Sequence, residues 1–107
     1  MTVSQDIKDM AEIIGQNVPA ERIYLFGSYA YGTPHKDSDY DFYIIIPDGV
    51  MRPMEAMQKA RRALAYKERT VSIDILADYS SSFDDRKKLN TLEKKIAQDG
   101  VVLYERT

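Results

Sequence analysis

The sequence predicts a mixed α/β fold in which helices cover a small sheet. Runs of β-branched and aromatic residues, such as YDFYIII at 40–46, alternate with segments whose apolar residues recur at helical spacing. Alternation of this kind is typical of a sheet with helices packed on it. The 107 residues, of which 44% are hydrophobic and 30% charged, suit a single globular domain spanning residues 1–107.

The helices are predicted from apolar residues that share one face and from capping residues at the helix ends. The first helix is expected to begin at a cap, Ser4 or Thr2, and to end where Gly15 and then Pro19 interrupt the pattern. The predicted helices are residues 4–16, residues 53–67 and a last helix running from a capping box at Ser82 to Gly100, with Phe83, Leu89, Leu92 and Ile96 facing the core.

The strands are predicted from short runs rich in β-branched and aromatic residues. The segment between the first two strands, GSYAYGTPHKDSD, is dense in residues that favour turns, and one helical turn is expected just after Ser28. The predicted strands are residues 21–26, 40–46, 70–77 and 101–105. Together with the helices they give the element order αβ(α)βαβαβ.

The composition excludes several classes of function. The chain has no cysteine and one histidine, His35, which removes disulfides, thiol catalysis, iron–sulfur clusters and Cys-ligated zinc. Fifteen Lys and Arg against 17 Asp and Glu leave no basic excess, which argues against nucleic acid as a partner. The longest apolar run, Phe42 to Ile46, is too short to span a membrane, and no signal peptide is recognisable, so a cytoplasmic location is expected.

Three carboxylates are predicted to lie at one end of the sheet. Asp39 and Asp41 are two residues apart at the start of a strand, so their side chains point to the same face. Asp74 interrupts an apolar run inside the next strand, where an unpaired carboxylate is costly. A divalent cation that prefers oxygen ligands, Mg²⁺ or alternatively Mn²⁺, would offset their charge. Taken alone, however, the D-x-D pattern is common, and solvent-facing aspartates would explain it.

A second pattern lies directly upstream of these carboxylates. Gly27 and Ser28 follow the strand that ends at Phe26. Glycine lets the backbone approach a phosphate closely, and the serine hydroxyl with the backbone N–H groups of a following helical turn can donate to an anion. A phosphate cradle next to a carboxylate pair indicates a site for a nucleoside triphosphate and its metal.

The segment LFGSYAYGTPHKDSDYDFYIII, in which Gly-Ser is followed after ten residues by D-x-D and an apolar strand, resembles the signature of the polymerase-beta nucleotidyltransferase superfamily. The small size, the aspartate in VSIDILA and the closing GVVLYE resemble the minimal nucleotidyltransferases (MNT) that pair as antitoxins with HEPN toxins. The resemblance covers nearly the whole chain and implies the polymerase-beta-type fold.

The resemblance also implies roles for individual residues. Gly27 and Ser28 would hold the β and γ phosphates of ATP, Asp39 and Asp41 would hold two Mg²⁺ ions, and Asp74 would complete the catalytic metal site beside the acceptor hydroxyl. The family often has Arg in Gly-Ser-x-Ala-Arg-Gly, where this chain has Tyr31, and Lys36 is a candidate substitute for that cation.

The reaction implied by the resemblance is transfer of AMP from ATP to a hydroxyl on a partner protein. In the family, that acceptor is a tyrosine of the HEPN toxin, which the modification blocks. An alternative is a noncatalytic antitoxin-type module that neutralises its partner by contact, and Tyr31 in place of the usual Arg favours this alternative. The sequence leaves the base preference and homo-oligomer formation open.

Overall fold

The computed structural model describes residues 3–68 and 71–106. These residues form five helices and a four-stranded sheet, joined by loops. The strands are β1 (Arg22–Phe26), β2 (Tyr40–Ile46), β3 (Ile73–Tyr79) and β4 (Val101–Glu105). The helices are α1 (Gln5–Asn17), α2 (Ser28–Tyr31), α3 (Pro53–Leu64), α4 (Ser80–Arg86) and α5 (Leu92–Asp99). The mixed α/β fold predicted from the sequence is therefore confirmed.

The strands lie in the order β3-β2-β1-β4. β1 is antiparallel to both of its neighbours, β2 and β4, whereas β2 and β3 are parallel and are joined through α3. A parallel pair needs a crossover of this kind, because the chain must return to the same end of the sheet before the second strand begins. The end of β1 therefore lies beside the starts of β2 and β3.

Both faces of the sheet are covered. Successive residues along a strand point to opposite faces, and each face packs into its own apolar cluster. On one face, fully buried Phe42, Ile44 and Ile46 pack with α1 and α3. On the other, which we call the α4/α5 face, Tyr43 and Ile45 pack with Phe83 of α4 and Ile96 of α5, joined by Tyr24 and Phe26 of β1. None of the described helices combines the length and the apolar character needed to cross a bilayer.

Helix α1 begins as predicted but ends later. The Ser4 hydroxyl accepts a hydrogen bond from the Ile7 backbone N–H at 3.3 Å, while the alternative cap, Thr2, lies outside the described residues. The expectation that Gly15 ends the helix is wrong. Gly15 is buried inside α1, and a Cβ there would collide with the ring of Tyr104 on β4, so this glycine provides room for packing.

The single last helix predicted from Ser82 to Gly100 is wrong, since α4 and α5 are separate. The Ser82 hydroxyl donates to Asp78 at 2.7 Å instead of capping the helix. Thr91 divides the segment: its hydroxyl donates to the Arg86 carbonyl at the end of α4 (2.7 Å) and accepts from the Lys94 N–H in the first turn of α5 (3.2 Å).

Other differences from the predicted elements are small. Phe83 and Ile96 are buried as expected, but Leu89 and Leu92 are 60% and 44% exposed, because the break between α4 and α5 turns them outwards. Helix α3 ends at Leu64 and not at residue 67, and β3 continues beyond residue 77 to Tyr79. β3 also begins later than predicted, at Ile73, and the predicted first residue, Thr70, lies outside the described residues.

Candidate active site

Asp41 and Asp74 are direct neighbours across the parallel strands β2 and β3. The register pairs Asp41 with Asp74, and cross-strand partners project from the same face of a sheet. Two residues further along β2, Tyr43 belongs to the α4/α5 face, which places both carboxylates on that face at the end where these strands begin. The structure therefore brings together two of the three predicted carboxylates by strand pairing alone.

The surroundings of Asp41 disfavour its charged form. Partial burial, followed in size by the charges of Asp74 and Asp39, raises the pKa of Asp41 from 3.8 to about 6. Asp39 lies in the exposed segment just before β2, and its effect on Asp41 shows that it contributes negative charge to the same end of the sheet. A local excess of negative charge of this kind favours binding of a cation.

Gly27 lies against the carboxylate of Asp41. Phe26, the last residue of β1, pairs with Asp41, so the chain leaves β1 beside this side chain. Gly27 has φ 76° and ψ −164°, a conformation that is essentially restricted to glycine, and a Cβ on it would overlap the Asp41 carboxylate. The loop at 27–28 thus lies directly against Asp41, and only glycine fits at position 27.

Ser28 begins the short helix α2, immediately after this glycine. The Gly27 carbonyl accepts hydrogen bonds from the backbone N–H groups of Ala30 and Tyr31, both at 3.0 Å, which closes the helical turn predicted from the sequence. Tyr31 packs into the apolar cluster of the α4/α5 face, and Lys36 is exposed in the loop before β2.

Two cations near the site were not predicted. The guanidinium of Arg61 on α3 lies 3.9 Å from Asp74 Oδ1, with about half of each side chain exposed. The Nζ of Lys95 on α5 lies 4.8 Å from the centre of the Tyr31 ring. Both contacts join helices to distant parts of the chain, and no local pattern signals them: Arg61 and Lys95 have the appearance of solvated helix residues in the sequence.

The donor set suits a hard divalent cation, although its side chains are not arranged as a finished metal site. Within residues 3–68 and 71–106, no three acidic or histidine side chains are positioned to hold an ion together as they stand. Asp74 Oδ1 lies 3.9 Å from the guanidinium of Arg61, a half-exposed ion pair. The partly buried carboxylate of Asp41 and the exposed carboxylate of its strand partner Asp74 nonetheless offer the oxygen ligands that Mg²⁺ prefers.

The structure thus has Gly27 beside carboxylates on two adjacent strands, as the resemblance to nucleotidyltransferases led us to expect. The chain belongs to the nucleotidyltransferase domain family, whose sequence model matches residues 7–105. No curated protein sequence matches the chain.

Solved structures of toxin–antitoxin proteins have the same fold. A toxin–antitoxin crystallised with AMP-PNP is 23% identical, with a TM-score of 0.59 over 94% of this chain and 74% of that chain. A double Asp-to-Glu mutant of the toxin–antitoxin MntA-HpeT gives the same values. Another MntA-HpeT mutant is 21% identical, with a TM-score of 0.56 over 99% of this chain and 76% of that chain.

Proposed function

We propose that the protein is a Mg²⁺-dependent nucleotidyltransferase that moves AMP from ATP to a hydroxyl of a partner protein, as the antitoxin of a HEPN-type toxin in the cytoplasm. The observation that carries the proposal is the Asp41–Asp74 pairing directly beside Gly27. Membership of the nucleotidyltransferase family supports the reaction class. The solved relatives, a toxin–antitoxin with AMP-PNP among them, support the nucleotide and the kind of partner.

In the proposed reaction, the acceptor oxygen forms a bond to the α-phosphorus of ATP while the bond from that phosphorus to pyrophosphate breaks. Gly27 and Ser28 hold the β and γ phosphates. Asp39 and Asp41 would hold two Mg²⁺ ions, which when bound would supply neutralisation of phosphate charge and activation of the reacting oxygens. Asp74 lies beside the acceptor hydroxyl and accepts its proton. The protein chiefly supplies position and charge.

Labelled ATP tests this proposal directly. The protein is incubated with Mg²⁺, ATP labelled on the α-phosphate, and the purified product of the adjacent gene. We expect the label to appear on a tyrosine of that product, and ATP labelled on the γ-phosphate to transfer none. Asp39→Asn and Asp41→Asn should each abolish the transfer without unfolding the protein.

Asp37→Asn is the matched control, because it removes the same charge from an exposed position of the same loop. It should retain full activity. Metal-dependent transfer that persists in both the Asp39 and the Asp41 variant would contradict the assigned roles.

The second candidate is a noncatalytic antitoxin that acts by contact. One feature of the sequence favours it: Tyr31 stands where the family often has an arginine that could be directed at the phosphates. The same incubation separates the candidates. Neutralisation of the toxin without any label on it would support the contact mechanism and refute the transferase.

A further inference from the structure

The exposed side of α3 and the turn that follows it form a basic surface. Residues 52–67 contain five of the chain's 15 Lys and Arg but only one of its 17 Asp and Glu, although the whole chain has a net charge of −2. Two of these five, Arg61 and Lys67, form ion pairs with carboxylates elsewhere in the chain. Lys59 and Arg62 are exposed and form no ion pair with any described residue, so their charge is available to a partner.

These two cations border a groove that also contains an exposed aromatic ring. The groove has a volume of about 470 Å³ and is lined by Lys59, Arg62, Ala63, Tyr66 and, at the end of α1, Asn17. Positions 59, 62, 63 and 66 have the spacing that places side chains on one side of a helix. Tyr66 is 94% exposed. This groove, which we call the α3 groove, therefore presents unpaired positive charge together with a free tyrosine ring.

The α3 groove is connected to the acidic cluster through Arg61. Arg61, the neighbour of Arg62 in α3, lies 3.9 Å from Asp74, and Asp74 is the register partner of Asp41. β3 is an edge strand of the sheet, so no further strand separates this part of α3 from the carboxylates. A protein bound at the α3 groove would thus lie close to the candidate active site.

The chemistry of the groove favours an acidic protein over a nucleic acid. Tyrosine and arginine are the residues that most often anchor protein–protein interfaces. A protein that binds nucleic acid through charge commonly makes on the order of 6–10 phosphate contacts, whereas this groove offers two unpaired cations and lies near carboxylates that repel phosphates. Carboxylates on a protein surface can match two cations one by one, which gives complementary charge without a long polyanion.

We propose that the α3 groove is the docking surface for the protein that supplies the acceptor hydroxyl, and that it binds an acidic patch of that protein. This inference rests on the proposed function and adds the place and the charge of the contact. Lys59 and Arg62 pair with carboxylates of the partner, and the partner covers the ring of Tyr66. Docking at this surface holds the acceptor next to the edge strand that carries Asp74.

Calorimetric titration with the purified product of the adjacent gene, in EDTA and without ATP, tests the docking surface. The double variant Lys59→Glu/Arg62→Glu should weaken the affinity at least about tenfold, because two attractive pairs become repulsive. Raising the salt concentration to about 0.3 M should weaken binding by the wild type, since salt screens exposed charges. Lys88→Glu/Lys94→Glu is the matched control, because it makes the same change of charge at two exposed lysines near α5. It should bind like the wild type.

Two variants of Tyr66 separate the aromatic contact from the charge. Tyr66→Ala should weaken the affinity about tenfold, the size expected for loss of an aromatic anchor, and should leave the free energy of unfolding unchanged because the ring is almost fully exposed. Tyr66→Phe keeps the ring and should bind nearly as well as the wild type.

The outcomes distinguish this inference from the proposed function, because the titration involves no transfer. Equal affinities of the wild type and the Lys59/Arg62 variant, or a wild type that does not bind the product, would overturn the docking surface, while label transfer to that product would still support the transferase. A double variant that binds the product normally but loses affinity for a short single-stranded RNA, or loses self-association in sedimentation, would also overturn it, because RNA or a second copy would then be the occupant. Normal docking without label transfer would refute the transferase and leave the docking surface standing.

Discussion

Replacing Asp41 by Asn should stabilise the metal-free protein while abolishing its proposed activity. The pKa of Asp41 is raised from 3.8 to about 6 by burial and by Asp74 and Asp39, so the folded state binds this proton more tightly than the unfolded state does. The stability that this provides is fully present below the unfolded pKa of 3.8 and is lost as the pH rises through about 6. Above that pH, the wild type carries an unfavourable charge that Asn removes.

The size of the effect follows from the shift. A rise of about two pKa units corresponds to roughly 3 kcal/mol. Because Asp41 is only partly buried, screening by water reduces the expected gain to about 1 kcal/mol. Urea denaturation followed by far-UV circular dichroism, in EDTA, should give a higher free energy of unfolding for Asp41→Asn at pH 8, and a difference that shrinks towards pH 4.

Two comparisons make this test decisive. Asp37→Asn removes the same charge from the exposed loop and should have little effect at either pH. Added Mg²⁺ should stabilise the wild type more than Asp41→Asn, since the proposed ligand is then missing in the variant. If Asp41→Asn were no more stable than the wild type at pH 8, the reasoning about crowded carboxylates would be wrong.

Two other variants examine the loop and the buried polar network. Gly27→Ala introduces a Cβ that overlaps Asp41 at a φ of 76°, so the free energy of unfolding should fall by about 1–3 kcal/mol and ATP binding should be lost; normal ATP affinity would contradict the placement of this loop. Glu93, which is 7% exposed, accepts from the Tyr43 hydroxyl at 2.9 Å and from Arg86 at 3.0 Å. Glu93→Ala should lower the free energy of unfolding by about 1–3 kcal/mol, measured by urea denaturation, with Glu12→Ala on the exposed side of α1 as a control that stays near the wild type.

The fold was largely predictable because its signals are local. The strand at 40–46 was predicted with the bounds that β2 has, since six of its seven residues are β-branched or aromatic and specify it without reference to other segments. The separation of α4 from α5 was missed, because Thr91 bonds in both directions along the chain and its role depends on where the preceding helix ends.

The site was predictable only in part, because its geometry depends on strand register. The sequence placed Asp41 and Asp74 on strands, but a slip of one residue between β2 and β3 would send Asp74 to the opposite face. The contacts of Arg61 and Lys95 depend on how whole helices pack, which no short pattern encodes. The roles of Asp39, Asp41, Asp74, Gly27 and Ser28 in catalysis and binding remain predictions for the labelling experiment.

The order in which the strands pair bears on folding kinetics, because Asp41 and Asp74 face each other from different strands. β1 and β2 are antiparallel and joined through residues 27–39, whereas β3 joins only after the longer crossover through α3, and contacts that close shorter loops lose less chain entropy. We therefore expect the repulsion between Asp41 and Asp74 to arise after the main folding barrier. Relieving it should slow unfolding without accelerating refolding, and a chevron plot of Asp41→Asn that moved only in its refolding limb would mean that β3 pairs early.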